Sequence, residues 1–294
     1  MAGAVAVSGF QEKFFQASEA TINFAEGPGN GTPLVLLHGL GRDWKSFSVL
    51  LPELSSRFQV FAIDLRGHGK SSHIPRGYRI TQFAQDISEF MGAMLPSGTA
   101  VFGHSLGAMV GLSVAARENC RVKALIVGDT MISPAKFATS MYAPLFRQLY
   151  KLMQAGGSEE ELARGIGTIT LQVPGIPELL RIEELPGNDE ATLLEWARGA
   201  MLADPDALAM TVDGSAFVAW RPDEILPRIT CPTLLLQGNP ELEALLSDED
   251  VELACRLLPR VECVKFPLLG HALFMQQPAP VLRAVSAFLR KLED

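Results

Sequence analysis

Val101-Phe102-Gly103-His104-Ser105-Leu106-Gly107-Ala108-Met109 is the stretch around which the rest of the chain is organised. The apolar run from Thr99 to Phe102 predicts a buried strand, and the small-residue run from Ala108 to Ala116 predicts a helix. Gly-His-Ser-Leu-Gly lies between them and leaves no length for an ordinary loop. A serine at so tight a strand-to-helix turn takes a strained backbone, and residues without a bulky Cβ must flank it. Gly103 and Gly107 meet that need. The turn lifts the Ser105 hydroxyl above the sheet edge, where the N–H groups of the following helix converge.

Outward from this turn the chain alternates strand and helix signals. Phe10–Ala17 and Ala20–Ala25 predict an antiparallel hairpin at the sheet edge. Pro33–Leu37 and Gln59–Ile63 are continuous apolar runs, as in strands covered on both faces. Between Thr81 and Leu95 the residues Phe83, Ile87, Phe90, Met91 and Met94 share one helical face. Val122–Val127 predicts a further strand ending at Gly128-Asp129. This rhythm implies right-handed crossovers and a mostly parallel α/β sheet flanked by helices.

After Asp129 the rhythm breaks. From Thr130 to about Arg221 no strand-like alternation occurs, and Pro134, Pro144, Pro174, Pro177, Pro186 and Pro205 punctuate helix-like stretches. Ala143–Ala155, a helix capped by Ser158 with Glu161 three residues on, and Ala191–Ala203 are the expected helices. Strand signals resume at Thr233-Leu234-Leu235-Leu236, followed by a helix over Asp248–Leu258, a strand over Val261–Phe266 and a closing helix over Pro280–Leu292. The expected division is a core over 1–129, a helical insertion over 130–226 after the sixth strand, and a second part of the core over 227–294.

Several motifs carry a resemblance to the α/β-hydrolase fold family. Gly103-His104-Ser105-Leu106-Gly107 matches its nucleophile elbow, His38-Gly39-Leu40-Gly41 its oxyanion turn, and Asp64-Leu65-Arg66-Gly67-His68-Gly69-Lys70-Ser71 a frequent signature. The insertion is similar to the family's lid. The resemblance implies Ser105 as nucleophile and His271, in Leu269-Gly270-His271 after the last strand, as general base. It also implies the backbone N–H groups of Leu40 and Leu106 as the oxyanion hole. The acid stays open between two carboxylates. Glu241, in Gly238-Asn239-Pro240-Glu241, holds the common position. Asp129, at the end of the strand before the lid, holds the position some relatives use and is favoured, since its strand end is well defined. His38 is expected to be a buried support for its turn, His104 a packing residue, and His73 exposed without a partner.

The implied activity is a serine hydrolase acting through an acyl-enzyme on a small or medium apolar ester, thioester or lactone, with no cofactor and no metal. Met131, Met141, Phe146, Met153, Trp196 and Met201 are expected mostly to pack, with some of them reaching the acyl pocket. Serine at the elbow excludes haloalkane dehalogenases and epoxide hydrolases, which use aspartate there. Ala272 stands where the C–C bond hydrolases of ring-cleavage pathways usually carry tryptophan, which weakens that alternative. An enol-lactonase stays open, as does a hydrolase-fold ligand-binding protein with vestigial turnover.

Bulk properties agree with such a protein. The chain has 294 residues, of which 48% are hydrophobic and 20% charged, enough apolar material to bury a sizeable core. A net charge of −8 argues against nucleic acid or an anionic membrane as partner, leaving a small-molecule substrate. No apolar run reaches the roughly 20 residues needed to span a bilayer. The opening Met1–Val7 stretch is apolar but short, with no basic residue before it, and reads as a tail rather than a secretion signal. Cys120, Cys231, Cys255 and Cys263 show no Cys-x-x-Cys pairing and are expected to be buried free thiols of a cytoplasmic protein.

Overall fold

Side chains of the central strands alternate between two buried faces, and this alternation builds the layers. The computed structural model describes residues 8–29, 31–119, 121–134, 137, 140–173, 176–185 and 187–291. Met1–Val7, Cys120, Pro174 and Pro186 lie outside them. The hairpin β1 (Gln11–Gln16) and β2 (Thr21–Glu26) forms one edge. There follow β3 (Pro33–Leu37), α1 (Leu51–Ser55), β4 (Gln59–Ile63), α2 (Ile80–Met94), β5 (Thr99–His104), α3 (Leu106–Ala115) and β6 (Val122–Gly128). The chain then leaves the sheet through α4 (Tyr142–Ala155), α5 (Glu159–Gly167), β7 (Thr170–Gln172), β8 (Leu179–Arg181), α6 (Glu190–Met201), α7 (Pro205–Val212) and α8 (Pro222–Ile225). It rejoins at β9 (Thr233–Gln237), then runs through α9 (Asp248–Leu257), β10 (Val261–Lys265), α10 (Leu273–Gln276) and α11 (Pro278–Arg290).

Eight strands stand in the order β1-β2-β4-β3-β5-β6-β9-β10. The pairs from β4 to β10 are parallel, and only the hairpin end is antiparallel. Val35, Leu37, Val101, Leu125 and Val127 face α2, α3 and the inserted helices. Leu34, Leu36, Phe102 and Ile126 face α1 and α11. On that second face Phe102 meets Phe47 and Phe274 with ring centroids 5.6 and 5.9 Å away. Truncating such a buried ring to alanine costs about 3–5 kcal/mol, from lost transfer energy and the cavity left behind.

Differences from the sequence reading have local causes. On α2, Phe83, Ile87, Phe90 and Met91 are buried as expected, but Met94 is 43% exposed. It is the last residue of the helix, and periodicity does not tell where the covering surface stops. The insertion contains a short antiparallel pair, β7 with β8, where no strand was expected. Three residues per strand are too few to register as alternation. Cys231 and Cys263 are half-buried free thiols, whereas Cys255 is exposed, being next to the buried Ala254 on the amphipathic α9.

The Asp64–Ser71 motif is structural. Asp64 is buried and accepts from the N–H groups of Trp44 (2.8 Å) and Lys70 (2.9 Å) and from Asn23 Nδ2 (2.7 Å). Arg66 forms a buried two-point pair with Asp86, at 2.5 and 2.6 Å. The turn also fastens the insertion to the core. The Gly67 carbonyl accepts from Asp204 N–H (2.7 Å), and Tyr78 Oη donates to Asp204 Oδ2 (2.5 Å). His73 is exposed as expected but is not partnerless, since its Nε2 lies 3.2 Å from the Leu202 carbonyl. Among the described residues no helix is long and apolar enough to cross a membrane.

Candidate active site

Ser105 occupies the junction of β5 and α3 with φ 54° and ψ −120°, a conformation that residues other than glycine rarely take. Tight packing holds it there. A Cβ on Gly103 would overlap the Gly107 carbonyl, and one on Gly107 would overlap the Leu37 carbonyl. The Ser105 N–H donates to the Gly128 carbonyl at 2.9 Å, locking the turn to β6.

Asp129 follows directly at the end of β6, also with positive φ (30°), and is fully buried. Its carboxylate accepts the N–H of Leu245 (2.8 Å) and Leu246 (3.2 Å), with Gly238 N–H farther off at 3.4 Å. The fourth partner is His271, whose Nδ1 lies 2.6 Å from Asp129 Oδ2. With three amides already aimed at the carboxylate, the ring donates through Nδ1–H, and in the neutral ring Nε2 is then the acceptor. Glu241, the other carboxylate weighed from the sequence, is absent from this arrangement. A 3-10 turn over Pro240–Leu242 carries it into solvent, with its own N–H on Asn239 Oδ1 at 2.9 Å.

Gly39, Leu40, His104, Ser105 and His271 line one cavity of about 90 Å³ beneath the inserted segment. This is less than the roughly 150 Å³ of a cavity known to hold a benzene ring. Ser105 and His271 share the cavity without a hydrogen bond between them. The N–H groups of Leu40 and Leu106 have no acceptor among the described residues. Phe146 and Trp196 reach this cavity, whereas Met131 and Met141 line a neighbouring one of about 450 Å³. Met201 is 50% exposed.

The remaining histidines are scaffolding. His38 donates Nδ1–H to the Gly39 carbonyl (2.8 Å) and accepts Leu65 N–H at Nε2 (3.0 Å), and burial pulls its pKa down to about 4. His104 does more than pack. Its Nε2 donates to the His271 carbonyl at 2.9 Å, 167 positions away, and the two rings lie 4.7 Å apart. Burial, helped by the neighbouring His271, brings the His104 pKa down to about 3.

Tyr142, Glu243 and Arg42 are among the cavity residues not anticipated from the sequence. Tyr142 packs edge-on against His271 at 5.1 Å and donates its hydroxyl to the Glu243 carbonyl at 2.7 Å. Glu243 has φ 71°, and burial raises its carboxyl above the usual range. Arg42 follows the His38–Gly41 turn and places its guanidinium 4.9 Å from the Trp196 ring centre. None carries a local signal, because each reaches the cavity through tertiary packing. The only sequence cue was for Arg42, a charged residue directly after His38-Gly39-Leu40-Gly41.

The sheet order, the inserted helices and the strained serine define an α/β hydrolase, and the model of the alpha/beta hydrolase family matches residues 34–284. The chain belongs to that family. It is 25% identical over 296 residues to the 2-(acetamidomethylene)succinate hydrolase of Mesorhizobium japonicum, covering 98% of this chain and 99% of that one. It is 27% identical over 270 residues to the pimeloyl-(acyl-carrier protein) methyl ester esterase of Chromobacterium violaceum, covering 90% and 97%. A thermophilic esterase from Thermogutta terrifontis superposes with a TM-score of 0.72 at 23% identity, covering 97% of this chain and all of that one.

Proposed function

We propose that this α/β hydrolase is a serine hydrolase that cleaves a small ester, thioester or lactone through an acyl-enzyme. One observation carries the reading: a strained serine opens onto the same cavity as an imidazole whose other nitrogen is held by a buried carboxylate. Ser105 Oγ attacks the carbonyl carbon while His271 Nε2 takes its proton. Asp129 keeps the proton on Nδ1 and stabilises the imidazolium. The oxygen of the tetrahedral intermediate accepts from the unpartnered N–H groups of Leu40 and Leu106. His271 returns the proton to the leaving oxygen or sulfur. A water, deprotonated by the same imidazole, then attacks the acyl-serine and releases the acid. Contacts such as that between Ser105 and His271 tighten when substrate binds, so their absence at rest is compatible with this chemistry.

The relatives named above act on an amide-bearing succinate and on a methyl ester, which supports acyl transfer as the reaction class. The modest cavity supports a short acyl group.

The test is hydrolysis of p-nitrophenyl acetate and butyrate, with fluorophosphonate labelling, in the wild type and in Ser105→Ala. Turnover and labelling that both vanish in Ser105→Ala are the expected result. Equal rates in the two proteins, without labelling, would leave a ligand-binding protein on a hydrolase scaffold.

A further inference from the structure

Arg42 is a cationic feature of the cavity that an apolar substrate leaves unexplained. It stands two residues after Leu40, so the turn that presents the Leu40 amide also delivers this side chain. Helix α6 closes over it: a Cβ on Gly199 would come within 2.8 Å of the Gly41 carbonyl and 3.2 Å of Arg42 Cα. The Trp196 indole from the same helix backs the guanidinium at 4.9 Å. Among the described residues the guanidinium makes no hydrogen bond and no ion pair. The side chain is half-buried, and burial pulls its pKa below the ordinary value.

Two carboxylates stand near enough to act on it through space. Asp43 is turned into its own turn, accepting Lys45 N–H at 2.8 Å, and Glu195 lies on the exposed side of α6. Both offset the charge at a distance and neither occupies the donor fork. Stacking on Trp196 alone would be served by an apolar side chain, which brings no N–H donors into the cavity.

We infer that the substrate carries a carboxylate, which the Arg42 guanidinium binds inside the cavity while Ser105 faces the scissile carbonyl. The inference rests on the serine-hydrolase reading and replaces its expectation of an apolar substrate with an anionic one. The planar fork fits a carboxylate by two parallel N–H···O bonds, and Trp196 sets its plane. The carboxylate can sit on the acyl side or on the leaving-group side of the ester.

Binding to Ser105→Ala, which needs no turnover, separates this claim from the catalytic one. Monomethyl glutarate carries the anion on the acyl side and butyryloxyacetate on the leaving-group side. Each is titrated by calorimetry against its neutral methyl ester. We expect at least one anion to bind 10- to 100-fold more tightly than its neutral partner, as hydrogen bonds to a charged group allow. Adding Arg42→Met, which keeps a chain over Trp196, abolishes that preference. Arg42→Lys keeps part of it. Anion and neutral ester binding alike, or a preference that survives Arg42→Met, overturns the inference and leaves Arg42 as a stacking residue for α6. Hydrolysis of p-nitrophenyl esters by the wild type is read separately, so loss of the catalytic reading is recognised independently.

Discussion

His271 Nδ1 meets Asp129 Oδ2 at 2.6 Å across 142 positions of sequence, and backbone amides from the loop after β9 hold the same carboxylate. The loop that would have carried a rival acid thus serves as the cradle for the one at the end of β6. Replacing Asp129 by asparagine sets an NH2 group against donors that need an acceptor, so the imidazole turns to its other tautomer. Asp129→Asn is expected to lower kcat by about 10⁴-fold on p-nitrophenyl butyrate, with little change for Glu241→Gln. A comparable loss in Glu241→Gln would contradict the assignment of Asp129.

Two glycines on neighbouring helices make opposite predictions. Gly107 faces the Leu37 carbonyl with no space for a Cβ, whereas nothing lies within 4 Å of the position a Cβ would take on Gly92 in α2. Gly107→Ala is expected to lose more than about 4 kcal/mol in urea unfolding, since backbone must move against backbone. Gly92→Ala is expected to gain about 0.5–1 kcal/mol from helix propensity alone.

Acid sensitivity follows from the buried imidazoles. Burial depresses His38 to about 4, and His68 and His104 to about 3, from an ordinary 6.5. The unfolded chain takes up these protons near pH 6.5 and the folded chain does not. The associated stability is therefore present above pH 6.5 and is lost as pH falls toward 4. Asp64 acts in the opposite direction. Burial raises it to about 6, so it favours the folded state as pH falls from 6 toward its ordinary 3.8. The histidines' contribution therefore falls between pH 6 and pH 5, while Asp64 and the other carboxyls raised by burial, Asp43, Asp86, Glu195 and Glu243, act against it. His104→Gln keeps a donor for the His271 carbonyl and should flatten that fall by at most about 1.4 kcal/mol per pH unit. An unchanged slope from urea unfolding at a series of pH values would show that His104 is not held neutral.

Tyr78 ties the inserted segment to the core through Asp204. Its hydroxyl also accepts Ile74 N–H at 2.8 Å, so Tyr78→Phe strands one donor and one acceptor together. The expected cost is about 1–3 kcal/mol. Faster hydrogen exchange is expected over Pro205–Val212, with α2 unaffected. Uniform exchange along the chain would instead indicate a global loss of stability.

Much of this arrangement was legible in the sequence because it is written in local patterns. The apolar runs, the glycines around Ser105 and the capping Ser158 each specify a short piece of backbone, and the expected elements differ from the observed ones by at most two residues at either end. Asp129 could be favoured but not chosen, because its partner amides come from Gly238, Leu245 and Leu246, which no spacing rule connects to it. Arg42, Tyr142 and Glu243 were invisible for the same reason. Their place in the cavity depends on how the inserted helices settle over the sheet, and periodicity reports which face of a helix is apolar, not what it meets.

The chain leaves the sheet at the end of β6 and re-enters at β9, and these two strands are immediate neighbours, with Gly128 beside Leu236 and Asp129 N–H on the Leu236 carbonyl at 3.0 Å. Exit and return points that close together make the excursion between them a cassette. Its length and composition can change without shifting the register of any strand, provided contacts such as that of Tyr142 with His271 are kept. A graft from another member of the family would then replace Phe146 and Trp196 in the cavity and leave Arg42, Ser105, Asp129 and His271 in place.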